Sequence, residues 1–136
     1  MESGVCKLII ICVLSLIFAS CNNDEDLSKR INGTYSGTFT VEYLNGDTFS
    51  NPVTIKFTGV NYQSSGSSDY FPAGGNGTYE RSNSTIDFYD ENYWTANFDW
   101  NLILSGEYDY SISDNELIIL ANRSDIGFYK YELTKE

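Results

Sequence analysis

The chain predicts an all-β domain, an antiparallel up-and-down meander of about eight short strands. Three observations carry this. After Ile31, apolar and polar residues alternate with a period of two over successive stretches. Clusters of Gly, Asn, Asp and Ser separate those stretches at short spacing. No segment beyond residue 31 repeats its apolar residues at the 3.6-residue period of a helix.

The first strand puts Tyr35, Gly37, Phe39, Val41 and Tyr43 on one face and Ser36, Thr38, Thr40 and Glu42 on the other. Leu44-Asn45-Gly46-Asp47 is a hairpin signal, because Asn-Gly readily takes the positive φ angles that a tight turn demands. A second strand opens at Pro52, where a missing N–H is tolerated, and carries Val53, Ile55 and Phe57. Residues 59–76 read as one long Ser- and Gly-rich connection, a length that marks functional or irregular loops. A third strand follows over 77–81, a turn at Ser82-Asn83, and a fourth over 85–89, with 90–94 as a corner. Phe98, Trp100, Leu102 and Leu104 alternate and predict a fifth strand. Tyr108, Tyr110 and Ile112 predict a sixth after a bend at Gly106. Asp114-Asn115 turns the chain into 117–120, and Tyr129, Tyr131 and Leu133 make the last strand. Such a meander has to hide its edge strands, and closure into a small barrel does so; a two-sheet β-sandwich is the alternative. Eight strands leave an interior just wide enough for side chains or one small ligand.

The N-terminal region reads as a targeting segment. Lys7 precedes an apolar run over 8–19 that is too short to span a bilayer, and Ala19 and Ser20 stand directly before Cys21. That order predicts a signal peptide over 1–20, a lipidated Cys21 at the head of an acidic tether over 21–30, and the β domain over 31–136. Removal of 1–20 also removes Cys6 and Cys12, leaving Cys21 as the last cysteine, so no intrachain disulfide is available.

Composition narrows the function classes. The net charge of −11 repels phosphate backbones and anionic headgroups, which argues against nucleic-acid binding and makes the lipid the membrane contact. Histidine is absent, which removes the commonest general base, the Ser-His and Cys-His nucleophile systems and the commonest zinc ligand. Carboxylate chemistry of the glycosidase type, which needs only two acids, survives that filter. The expectation is a protein that is not an enzyme and needs no cofactor.

The segments Asn32-Gly33-Thr34-Tyr35-Ser36-Gly37, Leu104-Ser105-Gly106-Glu107-Tyr108, 117–120 and 129–133 together make the chain resemble the lipocalin-like (calycin-type) small lipoproteins of Bacteroidetes. The resemblance implies an up-and-down barrel and a small apolar ligand, and it transfers no catalytic residue. Asp24-Glu25-Asp26, just after Cys21, is similar to the acidic export signal of surface lipoproteins in that phylum. It implies an outer-membrane, cell-surface location.

The resulting expectation is a lipid-anchored binding or interaction module for a small apolar or glycan ligand, or for a protein partner. A structural envelope lipoprotein with a filled barrel is the alternative, and a carboxylate-only hydrolase comes last. The candidate ligand residues are Trp94, Tyr93, Tyr70 and Phe71, aromatic rings in the two irregular segments that would line the mouth of a barrel. Asp87, Asp90, Glu91 and Asp99 crowd the same stretch without the spacing of a calcium loop and read as a solvated acidic face, so no metal is expected.

Overall fold

The computed structural model describes residues 31–136. The predicted signal segment 1–20, Cys21 and the acidic run 24–26 lie outside the described residues. Eight strands follow one another: β1 (Gly33–Tyr43), β2 (Thr48–Thr58), β3 (Asn61–Ser64), β4 (Gly75–Arg81), β5 (Thr85–Asp90), β6 (Gly106–Ser113), β7 (Glu116–Arg123) and β8 (Gly127–Lys135). Each pairs antiparallel with the next, and β1 also pairs with β8, closing an up-and-down barrel rather than a sandwich. Closure leaves the alternation with one inside and one outside. Tyr35, Phe39 and Val41 of β1 are buried, as are Val53, Ile55 and Phe57 of β2 and Tyr129, Tyr131 and Leu133 of β8.

The strand inventory differs from the sequence reading at two places. Residues 59–76 are not one loop, because β3 lies within them. Its four residues bury only Tyr62 and Ser64, too few to register as alternation, and pairing with β2 on one side and β4 on the other makes it a strand. Residues 98–104 are not a strand. Asp99 caps a 3-10 turn over Trp100–Leu102, its side chain accepting from the Asn101 backbone N–H at 3.0 Å. Leu102, Ile103 and Leu104 are then buried in succession, which no half-buried strand allows. The count of eight is kept because one strand replaces the other. β2 also starts earlier than expected, at Thr48. Its first half pairs with β1 alone, so Pro52 sits on an open edge where it breaks no ladder.

The connections sort by barrel end. At the turn end, where β1 begins, lie 59–60, 82–84 and 114–115. At the loop end lie the hairpin 44–47, the turn 124–126 and the two long segments 65–74 and 91–105.

The interior is filled with aromatic rings. Contacts run Tyr35–Phe57 (5.8 Å between centroids), Phe57–Phe88 (6.4 Å), Phe88–Tyr108 (5.8 Å), Tyr108–Tyr131 (6.3 Å) and Tyr131–Phe39 (4.8 Å). Tyrosine suits this place because its ring fills the core while its hydroxyl reaches a backbone carbonyl at the rim. At the turn end Tyr79 donates to Gly59 O at 2.8 Å and Tyr110 to Ser82 O at 2.7 Å.

Closure depends on a bare backbone at Gly37, paired with Val53 on one side and Leu133 on the other. A Cβ there would overlap the Glu132 carbonyl oxygen, which is backbone and cannot move aside. Gly37→Ala is therefore expected to cost about 2 kcal/mol or more, as overpacking against an immovable neighbour does. The urea midpoint measures this, and an unchanged midpoint would show that the β1–β8 seam is not this tight.

Candidate functional site

The site is built from the two long segments of the loop end, which the barrel brings together. Segment 91–105 turns inward at Asp99. The Asp99 Oδ2 atom accepts from the Tyr129 hydroxyl at 2.6 Å and the Tyr43 hydroxyl at 2.9 Å. Beyond it Tyr62 donates to Leu104 O at 2.5 Å and Tyr108 to Ile103 O at 3.4 Å. Four tyrosine hydroxyls thus fasten residues 99–104 across the mouth of the barrel. Segment 65–74 locks onto the same piece of chain: Ala73 N–H donates to Leu102 O at 3.0 Å and Leu104 N–H to Gly74 O at 2.8 Å. The mouth is plugged, and what remains at this end is a surface rather than a cavity.

Burial pushes the Asp99 carboxyl up, but hydrogen bonds from Tyr129, from the backbone and side chain of Asn101 and from Tyr43 outweigh it and hold the group below the usual carboxylate range. The same geometry holds Tyr43 and Tyr129 well above the ordinary phenol value, through burial first and the Asp99 charge after it. Burial also pushes Tyr108 up to about 12.

Segment 65–74 is an ordered loop, not a flexible one. Ser67 Oγ bonds to Asp69, and Phe71 N–H donates to Ser67 Oγ at 2.9 Å. Asn51 of β2 reaches across to Phe71 O at 2.6 Å and to Asp69 at 3.2 Å. Tyr70 is held at φ 65°, a left-handed conformation that is rare for a bulky residue.

Of the four aromatic residues expected at the site, the fold joins two. Tyr70 stacks on Phe98, with centroids 4.5 Å apart and planes 9° from parallel, and Trp94 meets the same Phe98 edge-on at 5.8 Å. Trp94 is half-buried rather than exposed, its indole N–H fixed to Asp90 at 2.6 Å. Phe71 turns the other way and stacks on Phe49 at 4.3 Å. Tyr93 stands apart, 92% exposed. Sequence reasoning left out Phe49, Leu44 and Ile126, which are exposed at the same end, and placed Phe98 and Trp100 in a strand. The overlooked signal was Asp99-Trp100-Asn101, an Asp two residues before a backbone N–H it can cap.

The acidic residues of this stretch diverge. Asp90 accepts from Trp94 and from the Asn76 N–H, Asp87 pairs with the Tyr89 hydroxyl, and Asp99 points inward. Among the described residues no group of three or more metal-ligating side chains converges. The chain matches no known protein family, no curated protein and no solved structure.

Two buried phenols test the plug. Tyr129→Phe removes a hydrogen bond to a carboxylate and is expected to cost about 1.5 kcal/mol or more. The Tyr131 hydroxyl is buried with no partner in the described structure. Tyr131→Phe is therefore expected to leave stability within ~0.5 kcal/mol or to raise it. Equal losses in urea unfolding would contradict this arrangement.

Asp99 also sets a pH dependence. Its depressed value gives stability that is present above the unfolded carboxyl range, about pH 4, and is lost as pH falls through the lower folded value. Asp99→Asn should be less stable than the parent at pH 7, with the difference shrinking toward pH 2. A gap that stays constant over that range would remove the carboxylate from the explanation.

Proposed function

We propose that the chain is a lipid-anchored, non-enzymatic binding module of the bacterial cell envelope whose interaction surface is the loop end of the barrel. One observation carries this reading. Of the large hydrophobic residues exposed among the described residues, all but Val60 lie at or beside the loop end: Leu44, Phe49, Tyr70, Tyr89, Tyr93, Trp100 and Ile126. A concentration of exposed apolar side chains on one end of a domain marks an interaction surface. The barrel begins at the opposite end, so an anchor at Cys21 would hold the turn end toward the membrane and leave the loop end facing outward.

The filled interior favours a surface platform over an internal apolar ligand, and it is also what supports a second reading, a structural envelope lipoprotein. The Asp24-Glu25-Asp26 run supports a position on the outer face of the outer membrane, as in the surface lipoproteins of Bacteroidetes that the chain resembles. The missing histidine, and the use of Asp69, Asp90 and Asp99 as hydrogen-bond acceptors within the fold, support the absence of catalysis.

Fractionation of the native host tests the anchor. Cys21→Ala is expected to abolish membrane retention, whereas replacement of Asp24, Glu25 and Asp26 by Ala should keep retention and reduce protease accessibility on intact cells. Membrane retention of the Cys21→Ala protein would overturn the anchor, and undiminished accessibility of the triple variant would reduce the acidic run to a linker.

A further inference from the structure

We propose that the loop end binds a neutral, hydroxyl-rich glycan chain, with sugar rings stacked on the side chains of Tyr70 and Trp100; this rests on the reading that the loop end is the interaction surface. The first argument is preorganisation. The Tyr70 backbone is held in a left-handed conformation that costs about 1–3 kcal/mol, and what this achieves is a ring laid flat on Phe98 with 39% of the residue still exposed. Trp100 is 59% exposed, and its indole N–H is tied to Ala96 O at 3.3 Å. Rings fixed in orientation with area left open bind the flat C–H faces of pyranose rings with little ordering cost.

The second argument is the state of the polar groups around those rings. Asp69 is taken up by Ser67, Phe71 N–H and Asn51. Asp90 is taken up by Trp94 and the Asn76 N–H. Their acceptor atoms are engaged within the fold, Asp90 fixing the Trp94 indole and Asp69 tying down the loop that carries Tyr70. Their charge, within a chain of net charge −11, disfavours acidic polysaccharides and anionic lipid surfaces. The polar side chains left exposed and without a bonded partner include the Glu91 carboxylate and Asn92, Thr95 and Asn97, the last three being uncharged groups that both donate and accept, as sugar hydroxyls do.

The test is affinity electrophoresis of the full-length protein in mild detergent, through gels containing xyloglucan, galactomannan, mannan, starch, dextran or polygalacturonate. Retardation by at least one neutral polysaccharide and none by polygalacturonate is expected. Tyr70→Ala and Trp100→Ala should each weaken that binding by about tenfold or more, the size typical of a central aromatic contact. Trp100→Ala should leave the melting temperature unchanged, which separates lost binding from lost folding. No retardation by any neutral gel, equal retardation by polygalacturonate, or binding untouched by both variants would overturn the glycan class. A photo-cross-linking residue at position 93, compared with one at position 60 on intact cells, separates the two readings. With no sugar bound, a protein captured from 93 but not from 60 overturns the glycan and keeps the loop end as the surface. Where no sugar binds either, capture from neither position removes both.

Discussion

The Asp99 carboxylate, held between the hydroxyls of Tyr43 and Tyr129, is the contact on which the rest of this molecule turns. It turns the chain leaving β5 into the barrel, where burial of Leu102 to Leu104 and the hydroxyls of Tyr62 and Tyr108 hold it. With it, the 3-10 turn forms, Leu102 to Leu104 become a hydrophobic stopper, and 65–74 gains carbonyl and N–H partners to pack against. Charge-assisted hydrogen bonds of this kind exceed neutral ones in strength, and a partly buried carboxylate needs them to stay ionised. The aromatic platform is downstream of the same contact, because Phe98, which seats both Tyr70 and Trp94, is the residue just before Asp99.

Tyrosine makes this possible throughout the barrel. A phenylalanine core would fill the space equally well but would leave the loop carbonyls at both ends without donors. Here Tyr62, Tyr79, Tyr108 and Tyr110 carry the core outward to backbone oxygens of the connections. A domain with no disulfide among its described residues, and with Lys130–Glu132 as its one ion pair there, draws its cohesion from ring packing and these hydroxyl anchors. Tyr131 is the exception, a hydroxyl kept in the core without a partner.

A plugged mouth and a filled interior change what the fold can do. A barrel of eight strands is often read as a container, whereas the proposed binding role makes this one a pedestal. Its interior supports a rim, and the rim presents the rings. In that proposed role rigid presentation matters, because a ligand surface assembled only on binding must first be ordered, whereas Trp94 tied to Asp90 and Tyr70 seated on Phe98 are already in place.

The sequence alone determined the fold class, the closing strands and most of the inward-facing residues, since period-2 alternation is a local property and needs no knowledge of partners. β1, β2, β4, β5, β6, β7 and β8 were legible for that reason, as was the aromatic character of the two long segments. The tertiary structure decided the rest. β3 exists because β2 and β4 flank it, not because Asn61-Tyr62-Gln63-Ser64 favours a strand. Residues 98–104 alternate like a strand yet become a plug, because burial inside the barrel mouth and the two tyrosine hydroxyls on Asp99 outweigh pattern. Which aromatic rings meet was likewise invisible in the sequence. Tyr70 and Phe71 are neighbours in the chain but belong to different stacks, Tyr70 on Phe98 and Phe71 on Phe49, partners that tertiary packing brings to the two sides of one loop.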